Sequence, residues 1–335
     1  MENPRRILII QLKRAGDVLL TTPLAALAKR TWPRAQVDFL VDKAFAPLLG
    51  NNPAIDAARV YDRDRVLRTL MQIRAQKYDA VFDFQSSPRS AAAVLASGAA
   101  YTSGYRVPFW GRSYGYAVAR PGEGVTVIEG KLSLLQPVAG RIHDVPAPQV
   151  FLTPEERRWA QEQRSHIQSR TLIGLVPTHR RASRRWQIAS FAALARRLEE
   201  ADCGVWLFWG PGERDYVEGL QRVTPAARLI PATSLRQMAA LLAQCDGVVS
   251  NDNGPMHLAA AVGVPTVTVY GPTDPRAWNP GGSRHVAIQA SGVSCVGCNL
   301  NACPFGHECM LEITPEKVFE ACRGFLSRAP KETLV

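Results

Sequence analysis

Residues 247–261 read GVVSNDNGPMHLAAA and pass from a strand to a helix within a few positions. The apolar run Gly247–Ser250 predicts a buried strand, and the polar residues after it predict a turn. Pro255 suits the first turn of the alanine-rich helix that follows. A strand that leads through a short polar turn into a helix is the building unit of an α/β protein.

The same strand-to-helix pattern recurs through the chain. Apolar runs predict strands at Arg6–Leu12, Gln36–Val41, Ala80–Phe84, Thr171–Val176, Val205–Trp209, Gly247–Ser250 and Thr266–Tyr270. Helical patterns lie between them, for example at Asp17–Thr31, Asp64–Lys77, Ile188–Ala201 and Ser234–Gln244. Strands that alternate with helices pair in parallel, and helices cover both faces of the sheet. We therefore expect an α/β fold built of doubly wound parallel sheets.

The length of 335 residues suggests two domains. Prolines interrupt the pattern at Ile142–Pro154, because proline cannot donate a sheet hydrogen bond and restricts the residue before it. We expect one doubly wound domain at 1–150 and a second at 151–335, with the active site in the cleft between them at the carboxyl ends of the strands. The last helix, 315–328, is expected to pack back on the N-terminal domain.

The charge balance favours anionic partners. Lys and Arg number 40 against 29 Asp and Glu, a formal net charge of +11. The excess is scattered, with no zinc-finger spacing or basic helix, so we expect phosphate-bearing small molecules rather than nucleic acid. No apolar run approaches the roughly 18–20 residues that span a bilayer, and the N-terminus lacks the pattern of a signal peptide. These features predict a cytoplasmic protein.

The turn Asp252–His257 is the first candidate site. The backbone N–H groups and the dipole of the helix that starts there favour a phosphate or a diphosphate, and His257 would donate to a phosphate oxygen. The combination of Asp, Asn, Gly, Pro and His in one turn favours this reading. The alternative is an ordinary capped helix with a buried histidine.

Two further turns follow predicted strands of the second half. Pro177–Trp186 contains several arginines, whose guanidinium groups would neutralise a diphosphate, or which form a solvated basic loop. The turn Trp209–Asp215 contains two glycines and Glu213, whose carboxylate would accept from a ribose hydroxyl. This second turn is a weak signal alone.

Asp17 follows the first predicted strand, next to Gly16. One reading makes it the N-cap of the next helix, where its carboxylate accepts from backbone N–H groups. The other makes it a general base that faces the cleft from the carboxyl end of the strand. The sequence lacks the G-x-G-x-x-G pattern of a dinucleotide site at this turn.

Cys295, Cys298, Cys303 and Cys309 form a C-x2-C-x4-C-x5-C pattern. In a cytoplasmic protein, clustered thiols suggest a structural zinc or iron–sulfur site, and the alternative is a loop of reduced packing cysteines. We expect no catalytic role for such a metal. The chain contains no Asp-x-Asp pair suited to a magnesium–diphosphate complex.

Several of these residues together carry a resemblance. The motifs are, in chain order, Gly16-Asp17-Val18-Leu19-x-Thr21-x-Pro23, Arg184-Arg185-Trp186, Asp252-x-Gly254-Pro255-x-His257-Leu258-Ala259 and Tyr270-Gly271-Pro272-Thr273. In these motifs the chain resembles glycosyltransferase family 9, the heptosyltransferases of lipopolysaccharide core assembly. Lys13-Arg14 stands where the core heptosyltransferases I and II often have two serines, so the chain is more similar to the heptosyltransferase III-like branch.

The resemblance implies a GT-B fold, in which an N-terminal acceptor domain and a C-terminal nucleotide-sugar domain, both Rossmann-like, face a central cleft. It also implies an inverting, metal-independent transfer of heptose from ADP-heptose, with no cofactor required. Asp17 matches the catalytic aspartate that deprotonates the acceptor hydroxyl. The resemblance assigns to the donor Arg184, Glu213, Asp252, Asn253, Gly254, Pro255, Met256 and His257, and Thr178 of the 177–186 turn is also predicted to bind it.

Arg106 and Arg112 lie in a segment that alternates arginines with aromatic residues. With Lys13 and Arg14, they are predicted to bind phosphates of a lipid-linked core oligosaccharide and to bring the protein to the cytoplasmic face of the inner membrane. The alternative is a surface loop whose aromatic rings pack on the domain.

Two other functions stay open at this point. One keeps the fold but uses another nucleotide sugar or a protein acceptor. The other is a non-catalytic protein that binds a sugar nucleotide, although such a protein would have no use for a base at Asp17.

Overall fold

The computed structural model describes residues 3–122, 124–140, 142 and 144–326. The chain divides into two compact units, Met1–Thr153 and Pro154–Val335. The division comes at the end of the proline-containing stretch that interrupts the strand–helix pattern. None of the helices in the described part of the chain combines the length and the apolar character needed to cross a membrane.

The first unit contains a parallel sheet of six strands in the order β3-β2-β1-β4-β5-β6. Its strands are β1 (Arg6–Ile10), β2 (Gln36–Asp42), β3 (Ala57–Tyr61), β4 (Ala80–Asp83), β5 (Tyr101–Tyr105) and β6 (Tyr116–Val118). Its helices are α1 (Ala15–Leu19), α2 (Thr22–Thr31), α3 (Val66–Ala75), α4 (Pro88–Ser97), α5 (Val127–Leu132) and α6 (Gln136–Ala139), with 3₁₀ turns at Ala46–Leu49 and Trp110–Ser113.

The second unit repeats this plan, with its six parallel strands in the order β12-β11-β10-β7-β8-β9. Its strands are β7 (Thr171–Val176), β8 (Cys203–Leu207), β9 (Arg228–Leu229), β10 (Gly247–Asn251), β11 (Thr266–Tyr270) and β12 (His285–Gln289). Its helices are α7 (Pro154–Ser165), α8 (Ile188–Glu200), α9 (Arg214–Val223), α10 (Leu235–Gln244), α11 (Gly254–Ala261), α12 (Pro275–Trp278), α13 (Glu308–Leu311) and α14 (Pro315–Leu326), with a 3₁₀ turn at Ala182–Arg184.

Each sheet runs outward from a central pair of strands, β1 with β4 and β7 with β10. In a doubly wound sheet this pair marks the point where the strand order reverses, and ligands bind beyond the carboxyl ends of its strands. The α/β fold with two doubly wound parallel sheets is thereby confirmed.

Helices cover the first sheet on both faces because successive side chains of a strand point to opposite sides. Ile7 and Ile9 of β1 belong to a core with Leu24 of α2, whereas Leu8 and Ile10 belong to a second core. The strand is therefore apolar at every position rather than at alternate ones, as expected for a buried parallel strand.

The predicted helix Asp17–Thr31 is in fact two helices. Pro23 lies in the first turn of α2, where its missing N–H costs no hydrogen bond, and α1 ends before it. The reading of Asp17 as an N-cap is wrong, because α1 begins two residues earlier and Arg14 holds the cap position with a left-handed φ of 67°.

The last helix, α14, packs against α8 and β11 of its own unit. Positions 327 and 328 of the predicted helix 315–328 lie outside the described residues.

Candidate active site

Asp17 lies in α1, directly beyond the end of β1 at the central strand pair of the first sheet. The residue is half-buried, and its burial raises the pKa of the carboxyl group. The positive charges of Lys131 and Arg14 act in the opposite direction. The carboxylate thus sits in a partly desolvated site whose surrounding charge favours its ionised form.

Lys131 of α5 is the cation that most strongly opposes the shift of Asp17. It is only 4% exposed, and its Nζ donates to Gln11 Oε1 at 2.7 Å and lies 5.4 Å from the ring centroid of Phe84. Burial lowers the pKa of Lys131 to about 8, while the charges of Asp17 and Asp83 raise it. Sequence reasoning missed this residue, because a lysine two positions after a helix-capping Glu129 has no distinctive pattern.

Two glutamines build the loop that precedes Asp17. Gln11 Nε2 donates to Gln85 Oε1 and to the Lys13 carbonyl, both at 3.0 Å. The Lys13 N–H donates to the same Gln85 oxygen at 3.1 Å. These bonds hold the backbone of the loop, whereas the side chains of Lys13 and Arg14 are exposed.

Arg106 and Arg112 lie on either side of the start of the 3₁₀ turn Trp110–Ser113, and both are exposed. Tyr114, which follows the turn, is buried and donates its hydroxyl to Asp83 Oδ2 at 2.7 Å. The segment is therefore anchored to the end of β4, and its two arginines stand outside the buried group around Asp17.

In the second unit, Arg184 and Asp252 form a nearly buried ion pair, with Nη1 and Oδ2 3.1 Å apart. Burial raises the pKa of Asp252, and the Arg184 charge opposes this shift. Arg184 Nη2 also donates to Asn299 Oδ1 at 2.7 Å, and its Nε is buried without a hydrogen bond to the described residues. The pair stands beyond the ends of β7 and β10, the central strands of this sheet.

Asn253 is the N-cap of α11. Its Oδ1 accepts from the Met256 N–H at 3.0 Å, and its Nδ2 donates to the carbonyl of the buried Thr178 at 2.9 Å. Pro255 has no N–H, and the N–H of Met256 bonds the cap. An anion at this helix end would therefore bind the N–H groups of Asn253 and Gly254.

His257 is buried in the second turn of α11, and its ring centroid lies 6.4 Å from that of Trp278. Burial lowers its pKa to about 4, with a smaller contribution from His285. The imidazole is therefore neutral near pH 7, so it can donate one hydrogen bond to a phosphate but does not add positive charge.

Glu213 is engaged within its own turn. Its Oε2 accepts from the Gly210 N–H at 3.0 Å, and it holds the N-cap position of α9. Of the other arginines in the 177–186 loop, Arg185 lies 5.3 Å above the ring of Tyr216 and donates to the His179 carbonyl. Trp186 is fully buried and donates its ring N–H to the Ile313 carbonyl at 2.8 Å.

The cysteine loop, defined as residues 295–309, packs beside the Arg184 group. Cys303 Sγ accepts from the N–H groups of Phe305 at 3.4 Å and His307 at 3.3 Å. Burial raises the pKa of Cys309 to about 11. Within 3–122, 124–140, 142 and 144–326, no group of three or more His, Cys, Asp or Glu side chains is arranged to hold a metal ion, so the predicted zinc or iron–sulfur site gains no support.

The cysteine loop is joined through hydrogen bonds of its backbone to the loop that holds Arg184 and to the turn after β11. Gly297 N–H donates to the Gly271 carbonyl at 3.1 Å, and Ser183 Oγ donates to the Asn301 carbonyl at 3.0 Å. A Cβ on Gly271 would come within 2.5 Å of Met310 Sδ, so only glycine permits this close approach. Asn299, which binds Arg184, was also missed by sequence reasoning, since nothing in its local pattern indicates a partner.

Comparison with known proteins identifies the family. A family model described as glycosyltransferase family 9 (heptosyltransferase) matches residues 66–308. Lipopolysaccharide heptosyltransferase 3 of Escherichia coli is 26% identical over 298 residues, which cover 82% of this chain and 86% of that protein. Lipopolysaccharide heptosyltransferase 2 of Escherichia coli K12 is 24% identical, over 96% of this chain and 98% of the relative.

Among solved structures, E. coli ADP-heptose lps heptosyltransferase II matches with a TM-score of 0.82 at 23% identity, covering 96% of this chain and 98% of that one. The match confirms the expected GT-B fold class. The family model spans well over half of the chain, and the matched range includes the Arg184–Asp252 pair and the α11 turn. The chain belongs to glycosyltransferase family 9 and is a glycosyltransferase.

Proposed function

We propose that the protein is an inverting heptosyltransferase that transfers heptose from ADP-heptose to a hydroxyl of the lipopolysaccharide inner core. The names of its relatives support this substrate class. The observation that carries the proposal is that a half-buried carboxylate beside a buried cation lies at the central strand pair of the first sheet. A protein that only binds a sugar nucleotide would not need such a base.

In the proposed mechanism, Asp17 removes the proton from the acceptor hydroxyl as its oxygen attacks the anomeric carbon. The new bond joins this oxygen to the anomeric carbon, the bond to the diphosphate oxygen breaks, and the configuration inverts. Lys131 favours the ionised Asp17 and so keeps the base ready to accept the proton.

ADP then leaves, and the negative charge that develops on its diphosphate requires stabilisation. In the proposal, Arg184 and the N–H groups of Asn253 and Gly254 supply it. The Arg184 Nε, which has no hydrogen bond to the described residues, and the start of α11 at these N–H groups support this assignment. His257 would donate one neutral hydrogen bond, and Glu213 would exchange the Gly210 N–H for a ribose hydroxyl. Because these groups provide the charge and the donors, the proposal includes no metal ion.

For the acceptor, we propose that Lys13, Arg14, Arg106 and Arg112 bind phosphates of a lipid-linked core oligosaccharide. All four side chains are exposed and belong to the first unit, which we assign to the acceptor. The second unit would bind the donor. An acceptor anchored in lipid places the reaction at the cytoplasmic face of the inner membrane.

The test is incubation with ADP-heptose and lipopolysaccharide cores truncated at successive inner-core sugars, followed by mass spectrometry. We expect one truncated core to gain the mass of one heptose, while ADP-heptose alone remains intact. Transfer from a different nucleotide sugar, or to none of the cores, would reject the proposal.

A further inference from the structure

One face of the first sheet is covered by a layer that consists of α3, α4 and the 3₁₀ turn Trp110–Ser113, here called the outer layer. Helix α3 packs against α4, and α4 packs against the turn. Ile73, Val94 and Tyr114 from these segments share one buried core with Leu8 and Ile10 of β1. Because the inner sides meet in one core, the outer sides form one continuous surface.

The segments that build this layer contain basic residues and no acidic ones. Residues 65–78 and 84–122 include eight Lys and Arg but no Asp or Glu, in a chain whose formal net charge is +11. Seven of these side chains are exposed in or beside the outer layer; they are Arg65, Arg68, Arg74, Lys77, Arg89, Arg106 and Arg112. Arg120 is excluded, because it lies over the ring of Tyr105, which belongs to the core on the other face of the sheet. At the edge of the layer, Asp62 lines one pocket with Arg65 and Arg68. The cations still outnumber this acid, and their excess favours an anionic partner.

The same surface exposes large apolar side chains. Leu67 and Met71, one helical turn apart on α3, are 77% and 66% exposed. Leu95 of α4 is 65% exposed, and Phe109, next to the turn, is 86% exposed. The Arg74 guanidinium packs on Gly98, the residue after α4, and so links α3 to the end of α4.

We propose that the outer layer docks the protein on a bilayer that contains anionic glycerophospholipids. The apolar side chains would enter the boundary between headgroups and acyl chains, and the basic ones would face the lipid phosphates. Nucleic acid would use the cations but would gain nothing from exposed aliphatic chains such as Leu67, Met71 and Leu95. The inference extends the proposed function, since a lipid-linked acceptor would reach an active site held at that bilayer.

Cosedimentation of the full chain with vesicles tests the surface. The vesicles contain phosphatidylethanolamine with phosphatidylglycerol, or phosphatidylcholine alone. One variant combines Leu67→Ser with Met71→Ser, and a second combines Arg68→Glu with Arg89→Glu. The matched control combines Arg222→Glu with Val223→Ser on α9, where an exposed arginine and an exposed valine also adjoin.

We expect the wild type to sediment with the phosphatidylglycerol vesicles and to remain in solution with phosphatidylcholine. A basic side chain near an anionic leaflet raises partitioning about fivefold, so losing two should reduce it at least ~25-fold. The apolar pair should also reduce binding, whereas the control should bind like the wild type. Thermal unfolding is measured for all variants to check that they fold. If the Leu67→Ser/Met71→Ser variant is unstable, vesicle binding by the Arg68→Glu/Arg89→Glu variant decides the test.

Binding that is absent in the wild type, or lost equally in the control, would overturn the proposal. So would an RNA oligonucleotide that displaces the protein from vesicles while binding the Leu67/Met71 variant normally. Heptose transfer to a detergent-solubilised acceptor is measured in parallel. Because this acceptor is not in a bilayer, the measurement tests the proposed activity independently of the membrane-docking surface. Wild type that sediments but transfers no heptose would refute the activity alone, whereas variants that lose vesicles but keep transfer would support the surface.

Discussion

Asp17 and Lys131 each oppose the pKa shift that burial causes in the other. Burial raises the pKa of the Asp17 carboxyl and lowers that of the Lys131 ammonium, since both ions lose water. The presence of each ion reverses part of the shift of the other. Gln11 accepts from Lys131 and donates to the loop before Asp17, so the pair is held through a shared partner.

The first prediction concerns the base. Asp17→Asn should lower kcat by about 10²–10⁴-fold, because an amide cannot accept the acceptor proton. ADP affinity, measured by calorimetry, should change little, since the proposed nucleotide groups belong to the other unit. A variant that keeps more than about a tenth of the wild-type rate would remove Asp17 from the mechanism.

The second prediction concerns Lys131, the residue that favours the ionised form of Asp17. Lys131→Met removes the positive charge that lowers the pKa of Asp17, so the pKa should rise further. The base is then protonated up to a higher pH, and the acid limb of the pH–kcat profile should move to higher pH. Lys131→Arg, which keeps the charge, should move the limb back toward the wild-type position. A profile that only falls in height, at unchanged pH, would indicate a purely structural lysine.

At the scale of elements, the cysteine loop packs against Arg184 and binds its guanidinium through Asn299. Arg184 Nη2 donates a hydrogen bond to Asn299, and Arg184 Nη1 donates one to Asp252. The orientation of Arg184 therefore depends on two separate segments of the chain. Asn299 has a left-handed φ of 56°, which asparagine tolerates better than most residues.

The third prediction follows from this contact. Asn299→Gly removes the side chain without straining that backbone, and it should raise the KM for the donor several-fold while kcat changes less. Asn301→Gly is the matched control, because only the backbone carbonyl of Asn301 bonds Ser183. If both variants raise the donor KM equally, the effect belongs to the loop and not to Asn299.

Helix α11 supports the fourth prediction, which is about pH and stability. The pKa of buried His257 is lowered to about 4, below the value of about 6.5 in an unfolded chain. Between these values the unfolded state binds more protons, so stability is full above pH 6.5 and falls as the pH decreases toward 4. In urea unfolding, the wild type should lose about 1–2 kcal/mol more than His257→Gln between pH 7 and about pH 5. Equal losses would show that His257 is not buried in its neutral form.

At the scale of the whole molecule, the positive charge is distributed over both units, and the second unit places a guanidinium and a helix N-terminus at its central strand pair. The fifth prediction is that EDTA leaves the turnover of ADP-heptose unchanged, because in the proposed mechanism these groups, and no divalent ion, stabilise the leaving diphosphate. The measurement is the initial rate before and after chelation, with added Mg²⁺ as the comparison. A strict requirement for Mg²⁺ or Mn²⁺ would contradict the proposed mechanism.

Local patterns were enough to predict the architecture. Strands such as Thr171–Val176 and Thr266–Tyr270 agree in both bounds, because a continuous apolar run between turns has few other solutions. Short or mixed strands such as β3 and β9 escaped prediction, since their alternation is weak and neighbouring strands create them. The strand-to-helix turns that carry Asp17 and Asp252 were likewise visible in the sequence.

The partners of these turns came only from the folded chain. Lys131 bonds Gln11, and Asn299 bonds Arg184, although more than 100 residues separate the partners of each pair in the sequence. No local sequence pattern indicates either contact. Local patterns determine whether a segment forms a strand or a helix, because burial and backbone hydrogen bonding act between near neighbours. Desolvation and charge, in contrast, depend on what lies within a few ångströms in space. The order of apolar runs and turns in the sequence therefore determined the doubly wound sheets. The pKa of Asp17 and the orientation of Arg184 were decided only by the tertiary structure, because they depend on groups that packing brings close in space.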